Sequence, residues 1–283
     1  MLAAVLSAVH RTGGRIQDQR VVVYGAGSAG IGIANAIRDT MVEEGLSREE
    51  ASRRFWCLGS RGLIVEGMPV RDFQAPYARS LDEVAGWGDE RGRIDLASTV
   101  QHAQPTILIG TSAQPGSFTR EIIEDMQQHA PEPIILALSN PTVLAEATPH
   151  DLLDWTGGMA LIATGSPFEP VERGGMQFEI AQANNALVFP GLGLGVAVCK
   201  ASRVSDSMII AAARAVASLT FDDKRPGASL LPSIDQLRLV SATVALAVVQ
   251  CAQEEGLAQV EITDPVQAVY DSMWKPEYAK IVL

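Results

Sequence analysis

The stretch RVVVYGAGSAGIGIANAI, residues 20–37, joins a run of β-favouring residues to a glycine-rich turn and then to a helical pattern. Its glycines fit G-x-G-x-x-G: the first permits a tight turn, the second lets a pyrophosphate approach the backbone, and the third lets the helix pack on the strand. Free amides at a helix N-terminus favour phosphate. The alternative is a purely structural turn. We predict a dinucleotide site at Gly25, Gly27, Ser28, Ala29 and Gly30.

Short apolar strand patterns alternate with helical patterns from this loop to about residue 165, which is typical of an α/β protein. Right-handed crossovers place the helices on both faces of one sheet. We predict a Rossmann-type, doubly wound, mostly parallel sheet with a helical C-terminal part. A single NAD(P)-binding domain is expected over residues 1–283. The late helices are predicted at 192–202, 205–219, 234–255 and 264–274.

Composition limits the classes of partner. The formal net charge of −11 repels phosphate backbones and anionic lipid, so neither nucleic acid nor a membrane is expected as a partner. The longest apolar run, 186–199, is shorter than the ~20 residues of a membrane span and predicts a buried turn and helix. Cys57, Cys199 and Cys251 show no pairing or metal spacing, which predicts buried, reduced thiols in a cytoplasmic protein.

The end of the second predicted strand bears on the choice of coenzyme. In NAD-binding sheets, an acidic side chain at this place binds the ribose hydroxyls. Here the strand at 55–58 is followed by Gly59, Ser60 and Arg61, so the carboxylate is missing. A hydroxyl and a guanidinium suit a 2′-phosphate, which favours NADP or dual use through Ser60 and Arg61. In the alternative, Arg61 is a solvated turn residue.

Several further motifs resemble the cofactor-binding domain of malic enzymes. Their order and spacing agree from about residue 1 to the end of the chain, and the bacterial small-subunit type is the most similar. The sister malolactic enzymes share much of the pattern and remain an alternative. The stretches that carry the resemblance are GAGSAGIGIA at 25–34, ILIGTSAQPGSFT at 107–119, ALSNPTVLAEATP at 137–149, ATGSPFEPV at 163–171 and AQANNALVFPGLGLGV at 181–196, together with RGLIVEG at 61–67 and MWKPEY at 273–278.

The resemblance implies an oxidoreductase that decarboxylates malate oxidatively to pyruvate and CO₂, with NAD or NADP and with Mg²⁺ or Mn²⁺. It assigns Asn140, in SNPT, to the nicotinamide ribose and the substrate, and Asn185, in ANNA, to a malate carboxylate. An amide donates two hydrogen bonds to a carboxylate without adding charge. From the residues alone, SNP is also a common turn, and the asparagine pair also suits a helix cap.

The catalytic and metal-binding residues of the family have no counterpart in this sequence. The resemblance places the general-acid tyrosine, the general-base lysine and the metal carboxylates upstream of the first residue. The acidic residues present are expected to be helical, exposed or in loops, so no catalytic or metal site is predicted. We therefore expect a fragment that binds dinucleotide but turns over little or no malate alone, with the metal needed only in the full-length enzyme.

Two other classes stay open. A non-catalytic dinucleotide-binding module, acting as a sensor or assembly partner, needs only the glycine loop. An unrelated Rossmann oxidoreductase needs a catalytic Lys or Asp after a strand end, and no lysine follows a predicted strand. The malic enzyme family usually forms dimers or tetramers, which implies a homo-oligomer. The apolar first helix and the tail YAKIVL at 278–283 would be exposed in a bare domain and favour the same conclusion.

Overall fold

The computed structural model describes residues 1–223 and 225–274. Most of the MWKPEY motif and the whole of the tail at 278–283 therefore lie outside the described residues. The chain divides into two compact units, of which the first comprises Met1–Asn184 and Thr220–Leu231 and the second comprises Asn185–Leu219 and Pro232–Leu283. The single domain over residues 1–283 stays a prediction.

The first unit is built on a sheet whose strands are short and apolar, as the sequence predicts. A separate two-stranded hairpin follows the sixth strand. The strands are β1 Val21–Tyr24, β2 Phe55–Gly59, β3 Gly62–Leu63, β4 Ile107–Gly110, β5 Ile134–Ala137, β6 Leu161–Thr164, β7 Val171–Arg173, β8 Met176–Phe178 and β9 Ala181–Gln182, with β7 and β8 forming the hairpin.

The strand order in the main sheet is β3-β2-β1-β4-β5-β6-β9, and neighbouring strands are parallel apart from β2 and β3. Val21 pairs with Phe55 on one side and with Ile107 on the other. From β1 the chain runs outward to β2 and β3 and then returns to β4 on the other side. The strand order thus reverses between β1 and β4, and open α/β sheets bind ligands at the carboxyl edge of such a switch point. The predicted doubly wound sheet is confirmed.

Three helices of the first unit begin at a residue whose side chain caps the helix, namely Ser47, Asp95 or Thr148. Ser47 and Glu50 form a reciprocal capping box at α3, and Thr148 caps α6 with Pro149 in its first turn. The helices are α1 Leu2–Arg11, α2 Ser28–Glu43, α3 Arg48–Ser52, α4 Leu96–Ala103, α5 Arg120–His129 and α6 Pro149–Trp155.

Successive side chains of a strand point to opposite faces of the sheet, which assigns the strand residues to two cores. On one face, the buried side chains of Val22, Leu108 and Ile135 pack in one cluster with inward residues of α4, α5 and α6. Val21 and Val23 are fully buried but lie outside this cluster, on the face where α2 contacts β1 and α1 contacts β5. Helices therefore cover both faces of the sheet.

The expected exposure of the first helix is wrong. Ala4, Val5 and Ala8 of α1 are completely buried within the first unit. Part of the cover comes from the segment that begins at Thr220, which no sequence pattern placed against α1. The Ser7 and Thr220 hydroxyls lie 2.8 Å apart, and Arg11 donates to the Ala228 carbonyl at 2.6 Å. The apolar face of α1 is thus satisfied inside the chain and is not evidence for a partner.

The second unit is helical, as predicted, and its helices pack through glycines. The helices are α7 Phe189–Cys199, α8 Asp206–Ser218, α9 Leu237–Glu254 and α10 Pro265–Ser272. A Cβ on Gly191 would lie 2.6 Å from Cβ of Val244, and one on Gly195 would lie 2.8 Å from Cβ of Val248, so α7 approaches α9 closely. The predicted burial of 186–199 is wrong in part, since Phe189 is 62% exposed.

One helical stretch, Ile234–Glu254, is long and apolar enough to cross a membrane when judged by length and composition alone. Buried core helices share both properties, so the stretch is weak evidence for a membrane span. The expectation that no membrane is a partner stays a prediction.

The cysteines match their prediction at two positions of three. Cys57 and Cys199 are buried free thiols, and burial raises the pKa of the Cys57 thiol. Cys251 is only half-buried, because the buried side of α9 runs through Val248 and Ala252 and leaves its neighbour at the flank.

Candidate functional site

The glycine loop connects β1 to α2 at the switch point, and two of its glycines are required by close packing. Gly25 has φ +112°, and a Cβ there would lie 2.5 Å from the carbonyl oxygen of Thr111, just after β4. A Cβ on Gly30 would overlap the Gly25 carbonyl oxygen and lie 2.7 Å from Oγ1 of Thr111. Thr111 Oγ1 also donates to the Gly25 carbonyl at 2.7 Å. These contacts press the turn and the start of α2 against β4.

Gly27 is different, because a Cβ at this position would meet no atom within 4 Å. No packing contact inside the chain therefore requires glycine there. The residue is exposed and lies at the N-cap of α2, in an extended conformation that any residue adopts. Glycine at this position leaves space on the outer side of the loop, which is the feature that close approach of a ligand needs.

The first amides of α2 are free to bind an anion. Ile31 N–H closes the first helical hydrogen bond, to the Gly27 carbonyl at 3.0 Å. Within residues 1–223 and 225–274, no acceptor pairs with the N–H groups of Ser28, Ala29 or Gly30. These groups point out of the helix N-terminus, where the macrodipole adds positive potential. Two phosphates of one ligand would find donors here without any charged side chain.

A cavity of about 370 Å³ lies beside this loop, at the carboxyl ends of β1, β2 and β4. Arg71 is the charged residue among those that line it. The lining consists of Tyr24, Gly25, Ala26, Gly27, Leu58, Gly59, Ser60, Arg71, Gln74, Thr111, Ser112 and Gln114. Of the predicted site residues, Gly25, Gly27 and Ser60 line this cavity together with residues from two other loops, whereas Ser28, Ala29 and Gly30 are not among its lining residues.

Hydrogen bonds between loops fix the walls of this cavity. Tyr24 donates from its hydroxyl to Oε1 of Gln114 at 2.8 Å, and Gln74 donates to the Ala26 carbonyl at 2.5 Å. Burial is the main reason that the pKa of Tyr24 is raised, so this phenol remains a neutral donor at physiological pH. The cavity is thus held by neutral side chains, and its anion-binding capacity comes from backbone amides and Arg71.

The two arginines near the end of β2 have different surroundings. Arg61 donates to the carbonyl of Pro69 and does not belong to the cavity lining. Arg71 lies in the irregular segment after β3, lines the cavity with Ser60, and is exposed. No sequence pattern pointed to Arg71, because it reaches the cavity only where residues 71–74 fold back onto the glycine loop.

The two asparagines implied by the resemblance lie in different units. Asn140 follows β5, is exposed, and accepts a hydrogen bond at Oδ1 from Ser166 Oγ, which follows β6, at 2.9 Å. Asn185 is exposed and begins a short 3₁₀ turn, Asn185–Leu187, in the second unit. Asn140 therefore stands at the carboxyl edge of the sheet, two strands away from β1, and has a partner that orients its amide.

Glu146 is the polar residue that sequence reasoning missed most clearly. No sequence pattern singles it out among the acidic residues, yet it is completely buried beneath the loops that follow β4 and β5. Its carboxylate accepts from Ser112 N–H at 2.8 Å and from Ser139 Oγ at 2.5 Å. Gly110 makes room for it, since a Cβ there would lie 2.5 Å from Cδ of Glu146.

Two other observations limit the choice of candidate site. A larger cavity of about 630 Å³ opens near Leu161, at the amino end of β6, which is the opposite edge from the one where open α/β sheets bind ligands. Among the residues that the structure describes, no three His, Cys, Asp or Glu side chains are grouped so as to hold a metal ion. The glycine-loop cavity is therefore the candidate site.

Sequence comparison matches this chain to malic enzymes. The family model described as "Malic enzyme, NAD binding domain" matches residues 1–253. "NAD-dependent malic enzyme 3" of Bacillus subtilis is 52% identical over 283 residues, which is 99% of this chain and 50% of that protein. "NAD-dependent malic enzyme" of Sodalis glossinidius is 45% identical over 98% of this chain and 49% of that protein.

Solved structures share the fold. The malic enzyme from Pyrococcus horikoshii superposes with a TM-score of 0.71 at 24% identity, over 96% of this chain and 56% of that one. The Entamoeba histolytica malic enzyme gives the same TM-score and identity, over 95% of this chain and 50% of that one. The chain spans about half the length of the curated relatives that it matches.

Proposed function

The chain belongs to the malic enzyme family, whose NAD-binding domain it matches, and from this premise we propose that it binds NAD⁺ at the carboxyl edge of its sheet. The observation that carries the proposal is the open space at Gly27 beside the free amides of Ser28, Ala29 and Gly30. The pyrophosphate would take these amides. The adenosine ribose would lie at Gly59 and Ser60, where β2 ends, and the nicotinamide half would extend toward β5.

The whole protein is proposed to oxidise malate to pyruvate and CO₂, with this chain as its coenzyme-binding part. Asn140 is proposed to contact the nicotinamide ribose and the substrate, and Asn185 a malate carboxylate. When bound, NAD⁺ accepts the hydride, and the residues of this chain bind and orient it. A Mg²⁺ or Mn²⁺ ion is proposed for the full-length enzyme, and none of its ligands is assigned to this chain. Homo-oligomerisation and a cytoplasmic location are also proposed.

Calorimetric titration of the 283-residue chain with NAD⁺ tests this function. We expect saturable binding of one NAD⁺ per chain. In a coupled assay with malate and Mn²⁺, we expect little or no reduction of NAD⁺ by the same sample. Absence of binding at millimolar NAD⁺ would contradict the proposal. Malate oxidation at a rate ordinary for an enzyme would show that this chain itself contains the general acid, the general base and the metal ligands.

Arg71, rather than Arg61, is expected to set the affinity for NADP⁺. The relatives are named NAD-dependent, so we propose NAD⁺ as the coenzyme. We attribute the predicted binding of NADP⁺ to a positive charge near its 2′-phosphate. Arg71→Gln should lower NADP⁺ affinity relative to NAD⁺ affinity by about fivefold, because it removes the cation that lines the cavity. Parallel titrations with both coenzymes measure the ratio.

Arg61→Gln is the matched control for this variant. Its side chain bonds to the Pro69 carbonyl and does not belong to the cavity lining, so the NADP⁺ to NAD⁺ ratio should stay within about twofold of the parent ratio. A change in the Arg61 variant with none in the Arg71 variant would reverse the assignment.

A further inference from the structure

Glu146 carries a negative charge that the proposed function does not use. Its side chain is completely buried, and every hydrogen-bond partner that the structure describes for its carboxylate is a neutral group. A buried carboxylate without a nearby cation costs free energy, so its retention at the edge of a binding site calls for a reason.

The hydrogen bonds fit the ionised form. Ser112 donates to Oε1 from its N–H at 2.8 Å and from its hydroxyl at 2.9 Å. Ser139 donates from its hydroxyl at 2.5 Å and from its N–H at 3.4 Å. Each hydroxyl also accepts a backbone N–H, from Gln114 at Ser112 and from Ala113 at Ser139, so its own proton is directed to Glu146. The carboxylate is thus an acceptor in all four bonds.

The position of Glu146 places this charge on one side of the switch point. Its two serines follow β4 and β5, and Ser139 is adjacent to Asn140. The adenosine half of a dinucleotide lies at the β2 side, so the other nucleoside extends over β4 and β5. Ser112, whose N–H donates to Glu146 at 2.8 Å, also lines the glycine-loop cavity. The carboxylate of Glu146 is therefore in direct contact with the cavity wall on the side of β4.

We propose that Glu146 makes the site prefer NAD⁺ to NADH. The inference rests on the proposed coenzyme function. The oxidised nicotinamide ring is a cation, whereas the reduced ring is neutral, and the two coenzymes are otherwise alike. A fixed anion beneath the loops of β4 and β5 attracts the oxidised ring and leaves the reduced ring unaffected. The same charge favours binding of the oxidised coenzyme and release of the reduced one.

The test compares three ligands on two proteins. The parent chain and Glu146→Gln are titrated calorimetrically with NAD⁺, NADH and ADP-ribose, which lacks the nicotinamide. For a charge at about 10 Å in a partly buried environment, NAD⁺ affinity should fall about fivefold to twentyfold in the variant. The affinities for NADH and ADP-ribose should stay within about twofold of the parent values, because neither ligand carries the cationic ring.

Two controls separate the charge from the loop geometry. Glu124→Gln removes the same charge from the exposed side of α5, so the NAD⁺ to NADH ratio should not change. Glu146→Asp keeps the buried charge but alters the hydrogen-bond distances, so the ratio should remain at the parent value even where all affinities fall together. The second control also covers the case in which Glu146→Gln gives no cooperative melt.

The outcomes distinguish this inference from the proposed function. If the parent binds none of the three ligands, the coenzyme function itself is wrong. If the parent binds them and Glu146→Gln weakens all three equally, Glu146 only holds the loops and the inference is overturned. An Asp variant whose ratio collapses would overturn it as well, since the charge would then be present without the preference.

Discussion

We expect Gly27→Val to abolish NAD⁺ binding, by about 100-fold or more in affinity, and to lower the free energy of unfolding by no more than about 1 kcal/mol, the cost of a branched residue at an N-cap. The two halves of this expectation come from one observation: a Cβ at position 27 meets no protein atom within 4 Å, so the branched side chain occupies only the space proposed for the pyrophosphate. Calorimetric titration measures the affinity, and chemical denaturation measures the free energy of unfolding.

Gly32→Val is the matched control, because it makes the same change five residues further along the chain, inside α2. Gly32 is exposed, and its Cβ would also meet nothing within 4 Å. Binding should remain within about twofold of the parent value, since the residue lies beyond the free amides. Unchanged NAD⁺ affinity in the Gly27 variant would show that the ligand does not approach this turn.

Gly30→Ala has the opposite profile, with a large loss of stability. A single methyl group there overlaps the Gly25 carbonyl oxygen and lies 2.7 Å from Thr111 Oγ1, both of which are held by the turn and by β4. We expect the free energy of unfolding to fall by about 3 kcal/mol, the upper range for overpacking. Urea unfolding followed by circular dichroism measures the change.

Gly32→Ala provides the reference for this second variant. It places the same methyl group at an open position of the same helix, where Ala is favoured over Gly by roughly 1 kcal/mol. The two alanine variants should therefore move stability in opposite directions. Equal stability of the two would contradict the close packing of α2 on β1 and β4.

The glycine loop, the parallel sheet and the helices were predictable because each depends on local pattern. Three β-branched residues before Gly25, and glycines at fixed spacing, specify a strand, a turn and a helix start whatever surrounds them. Capping at Ser47 and Thr148 is equally local. The family motifs then extended the prediction to Asn140 and Asn185, whose roles stay predictions.

Arg71, Glu146 and the cover of α1 depended on contacts between distant residues. Arg71 reaches the cavity only through the fold of an irregular segment, and Arg61, which the strand-end rule favoured, bonds to the Pro69 carbonyl instead. Glu146 is buried because Gly110 lacks a side chain thirty-six positions earlier. Periodicity and composition describe neighbouring residues and carry no information about contacts between distant ones. Sequence reasoning therefore missed these three features.

A crystal structure of the chain with NAD⁺ tests the central claim most directly. The account predicts pyrophosphate oxygens within hydrogen-bonding distance of the backbone nitrogens of Ser28, Ala29 or Gly30, with the nicotinamide over the ends of β4 and β5. A dinucleotide bound away from the first turn of α2, or bound with its nicotinamide toward β2, would contradict it.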